Sequence, residues 1–298
     1  MTIKLEGIIP PHITPFKKNG DIDEAALKKL VNFWLDDGVD GLVSCGSNGE
    51  APSMSRDERR RVIDIVINEV NDKVPVIAGT GAPSTGETID LTRDAKDIGA
   101  DAALIVTPYF YRPNSEELIE HYRSVIKAVD IPIILYNVPK FTGYNLEADV
   151  VIKLAKEYSQ IIGVKDSGGS IGQISEIIRQ VGKKISVLAG SGDVVLANLM
   201  MGGKGGILGI ANVAPRLCSD IFDYFKKGDS EKAKEAQMKA LFLNDLLIKK
   251  YNQLSSIKEA MNQLGQPAGY PRLPSLPLKE EAKQNIQKAL HDLNLKKS

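Results

Sequence analysis

Eight short apolar runs alternate with longer helical segments along the chain, and this alternation constrains the fold more than any other feature. Each run ends in a turn-forming or polar residue and precedes a segment whose apolar residues recur at helical spacing. Successive runs begin about 20 to 34 residues apart, enough for a strand, two loops and a crossover helix. The runs are GIIPPHI from Gly7, GLVSC from Gly41, VPVIAG from Val74, AALIV from Ala102, IPIILY from Ile131, IIGVK from Ile161, ISVLAG from Ile185 and GGILGI from Gly205. The alternation predicts a parallel sheet built from βα units.

Two α/β architectures can hold eight such units, a closed (β/α)8 barrel and an open, doubly wound sheet. The runs are almost continuously apolar, as expected when helices cover the sheet and side chains fill its interior. No G-x-G-x-x-G follows the first run, so the usual signature of a dinucleotide-binding open sheet is missing. We therefore predict an α/β fold, a (β/α)8 TIM barrel, over residues 1–228.

The pattern changes after residue 228. Three helical segments follow without an intervening apolar run, and a proline-rich connection, PAGYPRLPSLPL, precedes the last of them. Most of this region is too short to bury a core of its own. We predict that residues 229–298 form a helical extension packed on the barrel, in preference to an independent functional domain.

Charge and cysteine content exclude several classes of partner. The chain has 38 basic and 38 acidic residues and hence no net charge, which argues against a nucleic-acid partner. Two cysteines outside any C-x-x-C spacing indicate a reducing compartment. The N-terminus lacks the pattern of a signal peptide, and no segment approaches 18 consecutive apolar residues. We expect a cytoplasmic protein that neither binds nucleic acid nor spans a membrane.

Metal and nucleotide chemistry are poorly supported. The three histidines, His12, His121 and His291, are scattered and show no metal-binding spacing. No G-x-x-x-x-G-K-[ST] loop occurs. We expect no metal site, and therefore neither a metal-dependent aldolase nor a nucleotide hydrolase.

Barrel enzymes bind substrates at the C-terminal ends of their strands, which directs attention to the residue that ends each run. Lys165 ends the sixth run, where burial favours the neutral amine that attacks a ketone. The alternative is a lysine paired with the adjacent Asp166. Tyr136 ends the fifth run and can act as a general acid and base, unless it is a core aromatic whose hydroxyl is bonded to the backbone. Both residues are candidates for catalysis.

Glycine-rich segments follow the second, seventh and eighth runs. In CGSNGEAP, the residues from Gly46 to Gly49 can converge backbone and side-chain donors on a carboxylate, although the same letters suit an ordinary turn. The glycines of LAGSGD and GGKGGILGIANVAP allow either a close ligand or tight packing. Arg112 and Lys140 near the predicted mouth can contact a phosphate or a second carboxylate, or be solvated rim cations.

Six motifs, in order, resemble one family. They are GSNGE, TPYFYRP, YNVPKFTG, GVKDSGG, LAGSGD and GGILGIANVAP. From about Gly7 to its C-terminus the chain resembles the dihydrodipicolinate synthase and N-acetylneuraminate lyase family. The resemblance implies a class I lyase or aldolase whose small-molecule substrate is pyruvate or another 2-keto acid. It also implies no cofactor beyond the covalent imine on Lys165, and a homotetramer built as a dimer of dimers.

The resemblance also implies roles for individual residues. Lys165 corresponds to the imine-forming lysine and Tyr136 to the proton-relay tyrosine. Ser47, with Asn48, corresponds to the carboxylate-binding loop, and we expect Ser47 to assist Tyr136 in moving protons. The other implied positions contribute to substrate binding or to the walls of the site. They are Gly46, Asn48 and Gly49 in the carboxylate loop, the Ile207 carbonyl, Ser167, Gly190, Phe141, Tyr109 and Phe110.

Two departures from the family pattern bear on the substrate. Phe141 stands where the synthases usually have an arginine that binds the carboxylate of aspartate semialdehyde, and an apolar ring cannot replace a guanidinium. Asp166 and Ser167 replace the usual Glu-Ala and resemble the sugar-acid aldolases, whose serine or threonine can bond a substrate hydroxyl. Both changes favour a hydroxylated aldehyde.

A third departure concerns the proton relay. Phe110 replaces the tyrosine that usually reaches a neighbouring subunit's site, and Tyr109 and Tyr111 are candidates to substitute for it. Because of this replacement, a non-catalytic barrel that binds a 2-keto acid without turnover is also an alternative.

The motifs together predict a class I aldolase of carbohydrate metabolism. It would cleave a 2-keto-3-deoxy sugar acid, such as 2-keto-3-deoxygluconate, to pyruvate and an aldehyde such as glyceraldehyde. A 4-hydroxy-2-oxoglutarate aldolase, a dihydrodipicolinate synthase and the non-catalytic 2-keto acid-binding barrel are the alternatives.

Overall fold

Eight parallel strands form the centre of the molecule. The computed structural model describes Ile3 and residues 5–295. The strands follow one another around a single sheet in the order β1-β8-β7-β6-β5-β4-β3-β2. Their bounds are β1 Gly7–Ile9, β2 Leu42–Ser44, β3 Val76–Gly79, β4 Ala102–Val106, β5 Ile133–Asn137, β6 Ile161–Asp166, β7 Ser186–Ala189 and β8 Gly205–Ile207.

The sheet closes between its first two strands. A parallel bridge joins Pro11 to Val43. The Val43 N–H donates to the Pro10 carbonyl at 2.9 Å, and the His12 N–H donates to the Val43 carbonyl at 3.0 Å. Every strand thus has two neighbours, which confirms the predicted (β/α)8 TIM barrel.

The observed strands begin within two residues of the predicted runs. The third and fifth start at Val76 and Ile133, two residues later than expected. Pro75 and Pro132 precede them, and proline has no N–H to donate to a ladder of hydrogen bonds. The sheet register therefore starts beyond each proline.

Twelve helices of the described chain surround or extend the barrel. They are α1 Glu24–Asp36, α2 Arg56–Val70, α3 Thr85–Ile98, α4 Ser115–Ala128, α5 Pro139–Thr142, α6 Ala148–Glu157, α7 Ile171–Val181, α8 Val195–Met200, α9 Pro215–Lys226, α10 Ser230–Asn244, α11 Gln253–Gln263 and α12 Glu280–Asp292. A capping box of Ser55 and Glu58 opens α2, and Asn114 with Glu117 forms another at α4. Among these residues no helix is long and apolar enough to cross a membrane.

The barrel interior is a packed apolar layer rather than a channel. It draws side chains from the strands themselves, as expected for a small barrel. Its members include Ile9, Val43, Ile77, Leu104, Ile134, Tyr136, Leu188 and Ile207. The open space of the site therefore begins above this layer.

The helices after residue 229 share a hydrophobic core with one side of the barrel. α10 packs on α9, and a π-helical segment, Asp245–Lys250, leads from α10 towards α11. Leu243, Ile257 and Leu290 belong to the same buried cluster as Trp34 of α1. Residues 296–298 of the predicted extension lie outside the described residues.

Candidate active site

Lys165 and Tyr136 lie side by side at the ends of β6 and β5. The parallel register pairs the two residues directly. The Lys165 Nζ lies 4.2 Å from the centre of the Tyr136 ring, and the lysine is only 3% exposed. Two candidates from different strands are thus brought into contact by the sheet itself.

Asp166, the other candidate partner of Lys165, has different contacts. Successive side chains of a strand point to opposite faces, so the carboxylate leaves the barrel interior. It accepts from Gln173 Nε2 at 2.7 Å, from the Gly168 N–H at 2.8 Å and from Asn137 Nδ2 at 3.0 Å. Within the described residues no carboxylate forms an ion pair with Lys165.

Ser47 completes this group from the loop after β2. Its Oγ lies 3.4 Å from the Tyr136 Oη, within hydrogen-bonding distance. The loop can bend back towards the barrel because Cys45 and Glu50 both take left-handed backbone conformations, with φ of 55° and 56°. The lysine, tyrosine and serine therefore form a contiguous set.

A cavity of about 550 Å³ opens at the C-terminal ends of the strands. Five of the predicted residues line it, namely Gly46, Ser47, Tyr109, Tyr136 and Phe141. Lys165 is not among the lining residues, but its Nζ lies 4.2 Å from the ring of Tyr136, which is. The remaining predicted residues do not line it either, and they are Asn48, Gly49, Ser167, Gly190, Ile207 and Phe110.

Some of these remaining residues shape the site from behind its surface. Asn48 is buried and accepts a hydrogen bond from Gln253, while the Gly49 carbonyl accepts from Thr14 Oγ1 at 2.8 Å. A Cβ at Gly190 would lie 2.0 Å from the Ser167 Oγ, so only glycine fits there. Ile207 is fully buried in the barrel interior.

The three aromatic residues of TPYFYRP have different surroundings. Tyr109 lines the cavity, and burial raises the pKa of its phenol above the ordinary value. Phe110 is 87% exposed, and Tyr111 beside it is exposed as well. Of the two candidate replacements for the relay tyrosine, Tyr109 is the one that faces this chain's own cavity.

The C-terminal region also lines the cavity, which was not predicted from the sequence. Its lining residues lie at the end of the π-helical segment, directly after it, or in the proline-rich connection. They are Lys249, Tyr251, Asn252, Gln253, Leu254, Pro274 and Ser275. The only signal in the sequence is the polar stretch KKYNQ between two helices, which does not identify a ligand site.

A buried ion pair fastens the loop after β2 to this region. Lys258 Nζ lies 2.5 Å from Glu50 Oε1, and both side chains are almost completely buried. The backbone N–H of Arg272 donates to the other Glu50 oxygen at 2.8 Å. Burial lowers the pKa of Lys258 to about 8, and the Glu50 carboxylate opposes that shift.

Across Ile3 and residues 5–295, no group of three or more histidine, cysteine or acidic side chains is arranged to hold a metal ion.

Comparisons with known proteins agree with this geometry. Residues 4–293 match the sequence model described as the dihydrodipicolinate synthetase family. A 4-hydroxy-tetrahydrodipicolinate synthase of Methanocaldococcus jannaschii is 40% identical over 290 residues, which are 97% of this chain and 99% of the relative. The synthase of Methanothrix thermoacetophila is 41% identical over 285 residues, covering 95% of each chain.

A solved structure extends the comparison to three dimensions. YagE, described as a prophage protein of the dihydrodipicolinic acid synthase family from E. coli K12 in complex with pyruvate, is 32% identical with a TM-score of 0.94. The alignment covers 98% of this chain and 99% of that chain. The chain therefore belongs to the dihydrodipicolinate synthetase family, whose members are class I lyases and synthases that act on carbon–carbon bonds through a lysine Schiff base without an external cofactor.

Proposed function

We propose that this enzyme is a 4-hydroxy-tetrahydrodipicolinate synthase, which condenses pyruvate with aspartate semialdehyde in lysine biosynthesis. The observation that carries the proposal is its identity of about 40%, over nearly the whole chain, to curated synthases. These relatives do not support the predicted cleavage of 2-keto-3-deoxygluconate or a role in carbohydrate metabolism. The condensation, one of the predicted alternatives, takes its place as the main proposal.

In the proposed mechanism, the Lys165 Nζ attacks C2 of pyruvate and water leaves to form an imine. The imine withdraws electrons, so that loss of a proton from C3 gives an enamine. The enamine C3 bonds to the aldehyde carbon of aspartate semialdehyde, whose oxygen takes up a proton. The amino group of the adduct then attacks the imine carbon and displaces the Lys165 amine, which closes the ring of the product and frees the lysine. Tyr136, whose ring lies beside Lys165 and whose hydroxyl lies 3.4 Å from Ser47, is proposed to move these protons. The electron sink is the imine, so that no further cofactor takes part.

The loop from Gly46 to Gly49 is proposed to hold the carboxylate of pyruvate. Gly46 and Ser47 line the cavity beside Tyr136, and Asn48 anchors the loop from behind. The Ile207 carbonyl is proposed to contribute to substrate binding. Ser167 and Gly190 are proposed to lie towards the end of the substrate that derives from the aldehyde. Tyr109 is proposed to take the place of the relay tyrosine.

A second candidate is an aldolase for hydroxylated 2-keto acids, including 4-hydroxy-2-oxoglutarate. It is favoured by Phe141, whose half-exposed ring lines the cavity where the synthases usually have an arginine. The non-catalytic alternative does not fit a chain that belongs to a family of carbon–carbon lyases.

The first experiment traps the imine. Borohydride reduction in the presence of pyruvate, followed by peptide mass spectrometry, is expected to label Lys165, and Lys165→Ala is expected to abolish the label. An adduct on another lysine would refute the assignment of the site.

The second experiment separates the two candidate reactions. We expect kcat/KM for condensation of pyruvate with aspartate semialdehyde to exceed that for cleavage of 2-keto-3-deoxygluconate or 4-hydroxy-2-oxoglutarate. If kcat/KM is higher for the cleavage reactions, the aldolase replaces the synthase as the proposed function.

A homotetramer, a cytoplasmic location and a domain boundary at residues 228/229 also stay proposals.

A further inference from the structure

Lys140 is a cation of the cavity wall that has no carboxylate partner among the described residues. It lies in α5, directly after β5, and its Nζ donates to the Ile248 carbonyl at 2.8 Å and to Gln253 Oε1 at 3.3 Å. Both acceptors are neutral, and an ammonium group has three N–H donors. The charge is therefore uncompensated, and one donor is left for a ligand.

The other lysine of the wall differs in this respect. Lys249 Nζ lies 2.8 Å from Asp193 Oδ2 and 2.9 Å from Asp245 Oδ1, so that two carboxylates balance its charge. Arg59 also lines the cavity, but its guanidinium is buried, bonded to the Ala51 carbonyl and close enough to Tyr109 to affect that phenol. Lys140 instead follows the strand that carries Tyr136.

The position of the Lys140 ammonium is well defined. Gln253 accepts a hydrogen bond from Lys140 and donates another to Asn48. This chain of contacts joins Lys140 to the loop that is proposed to hold the pyruvate carboxylate. The Phe141 ring centre lies 5.6 Å from the Lys140 Nζ, so a positive charge stands beside an apolar ring at the cavity wall.

We propose that Lys140 binds an anionic group of the second substrate and thereby selects carboxylate-bearing aldehydes. The proposal rests on the proposed synthase function and supplies the carboxylate contact that Phe141 cannot make. Lys140 is exposed at the cavity wall, and an incoming carboxylate would add a charged hydrogen bond where the described residues provide only neutral acceptors.

The test compares pyruvate condensation with three aldehydes at saturating pyruvate. Aspartate semialdehyde and succinate semialdehyde carry a carboxylate, and butanal has the same carbon number without one. The variants are Lys140→Met, Lys140→Arg and Lys250→Met. Lys250 is a matched control because it lies next to the cavity-lining Lys249 but does not line the cavity.

We expect Lys140→Met to lower kcat/KM for both carboxylate-bearing aldehydes on the order of 10- to 100-fold, as for the loss of a charged hydrogen bond. The loss with butanal should be at least tenfold smaller. Lys140→Arg should keep most of the preference, and Lys250→Met should behave as the wild type. Borohydride trapping of pyruvate should succeed in every variant.

Equal losses with all three aldehydes would overturn the proposal, because they would mean that Lys140 only fastens α5 to the C-terminal region. The proposal would also be overturned if the wild-type enzyme had the same kcat/KM for butanal as for succinate semialdehyde. If the wild type condenses succinate semialdehyde but not aspartate semialdehyde, the synthase function fails, whereas a selective loss in Lys140→Met still supports the carboxylate contact.

Discussion

The loops after β2 and β4 both contain a residue in the left-handed backbone region that is not glycine, but their surroundings are opposite. Glu50 has φ of 56° and is 2% exposed, while Phe110 has φ of 85° and is 87% exposed. Such a conformation costs about 1–2 kcal/mol and persists only where other contacts offset it. Different contacts must therefore offset this conformational cost in the two loops.

For the loop after β2 the compensation lies within the chain. Glu50 pairs with Lys258 and accepts from the backbone of Arg272, and Gln253 bonds to Asn48. For the loop after β4, the ring of the exposed Phe110 makes an edge-to-face contact with Tyr111, at 5.1 Å between ring centres. We propose that a second subunit offsets the cost there, and the homotetramer that would provide this contact stays a prediction.

The largest effect is expected where the loop after β2 is fastened. Glu50→Ala leaves Lys258 as an unpaired cation in the core, which should lower the free energy of unfolding by about 3–5 kcal/mol. Urea denaturation measures the loss. The matched control is the double variant Glu50→Leu with Lys258→Met, which removes both charges and should lose much less. A double variant as unstable as Glu50→Ala would show that the charge pair is not what holds the loop.

The second prediction concerns the pH dependence of stability that arises from two buried histidines, one beside β2 and one in the helix that follows β4. His12 accepts from Ser44 at the end of β2, and His121 of α4 contacts Thr85. Burial lowers the pKa of both imidazoles to about 4. The unfolded chain binds these protons more tightly, so the free energy of unfolding should fall as the pH drops from about 6.5 to 4, by up to about 3 kcal/mol for each histidine.

Single variants separate the two contributions. His12→Asn and His121→Phe should each remove part of the pH dependence when unfolding in urea is followed at pH 7, 5.5 and 4.5. A pH dependence that neither variant changes would mean that each imidazole binds its proton as tightly in the folded protein as in the unfolded chain, against the effect of its burial.

The third prediction tests the compensation of Phe110 by a partner. Phe110→Gly removes the ring from the supposed interface and should weaken subunit association by about 2 kcal/mol, or roughly 30-fold in Kd. It should also stabilise the dissociated chain by up to about 1 kcal/mol, because glycine accepts the left-handed conformation. Sedimentation over a concentration series and thermal melts at low concentration measure the two effects.

Phe110→Ala is the matched control, because alanine loses the ring but keeps the steric cost. It should weaken association as much as glycine does without stabilising the dissociated chain. If neither variant changes association, the exposed ring is not an interface residue, and the cost of its conformation is offset in another way.

The reactive end of the site could be predicted from sequence because it depends on local pattern. Lys165 and Tyr136 each end an apolar run, and parallel strands of a barrel bring such ends to one rim. The period of two along β6 also separates Lys165 from Asp166. Both conclusions need only the strand positions, which the apolar runs place within two residues.

The outer wall could not be predicted in this way. Gln253 donates a hydrogen bond to Asn48, which is 205 residues away in the sequence. The residue pattern of neither segment predicts that contact. Lys258 lies in an amphipathic helix where a lysine would ordinarily be solvated. The left-handed conformations of Glu50 and Phe110 are likewise set by packing rather than by residue type, since neither is a glycine or an asparagine.

The smallest expected effect concerns the bond between Gln253 and Asn48, which joins the C-terminal region to the loop after β2. Gln253→Ala leaves the buried Asn48 without this donor, so the loop should hold pyruvate less well. We expect KM for pyruvate to rise about fivefold, as for a lost neutral hydrogen bond of about 1 kcal/mol, with little change in kcat. Gln253→Met is the control, because it keeps the approximate size of the side chain, cannot donate to the Asn48 oxygen and adds no charge beside Lys140. If both variants leave KM for pyruvate unchanged, the bond between Gln253 and Asn48 does not position the loop, and the contacts of Glu50 with Lys258 and Arg272 account for the difference between the two loops.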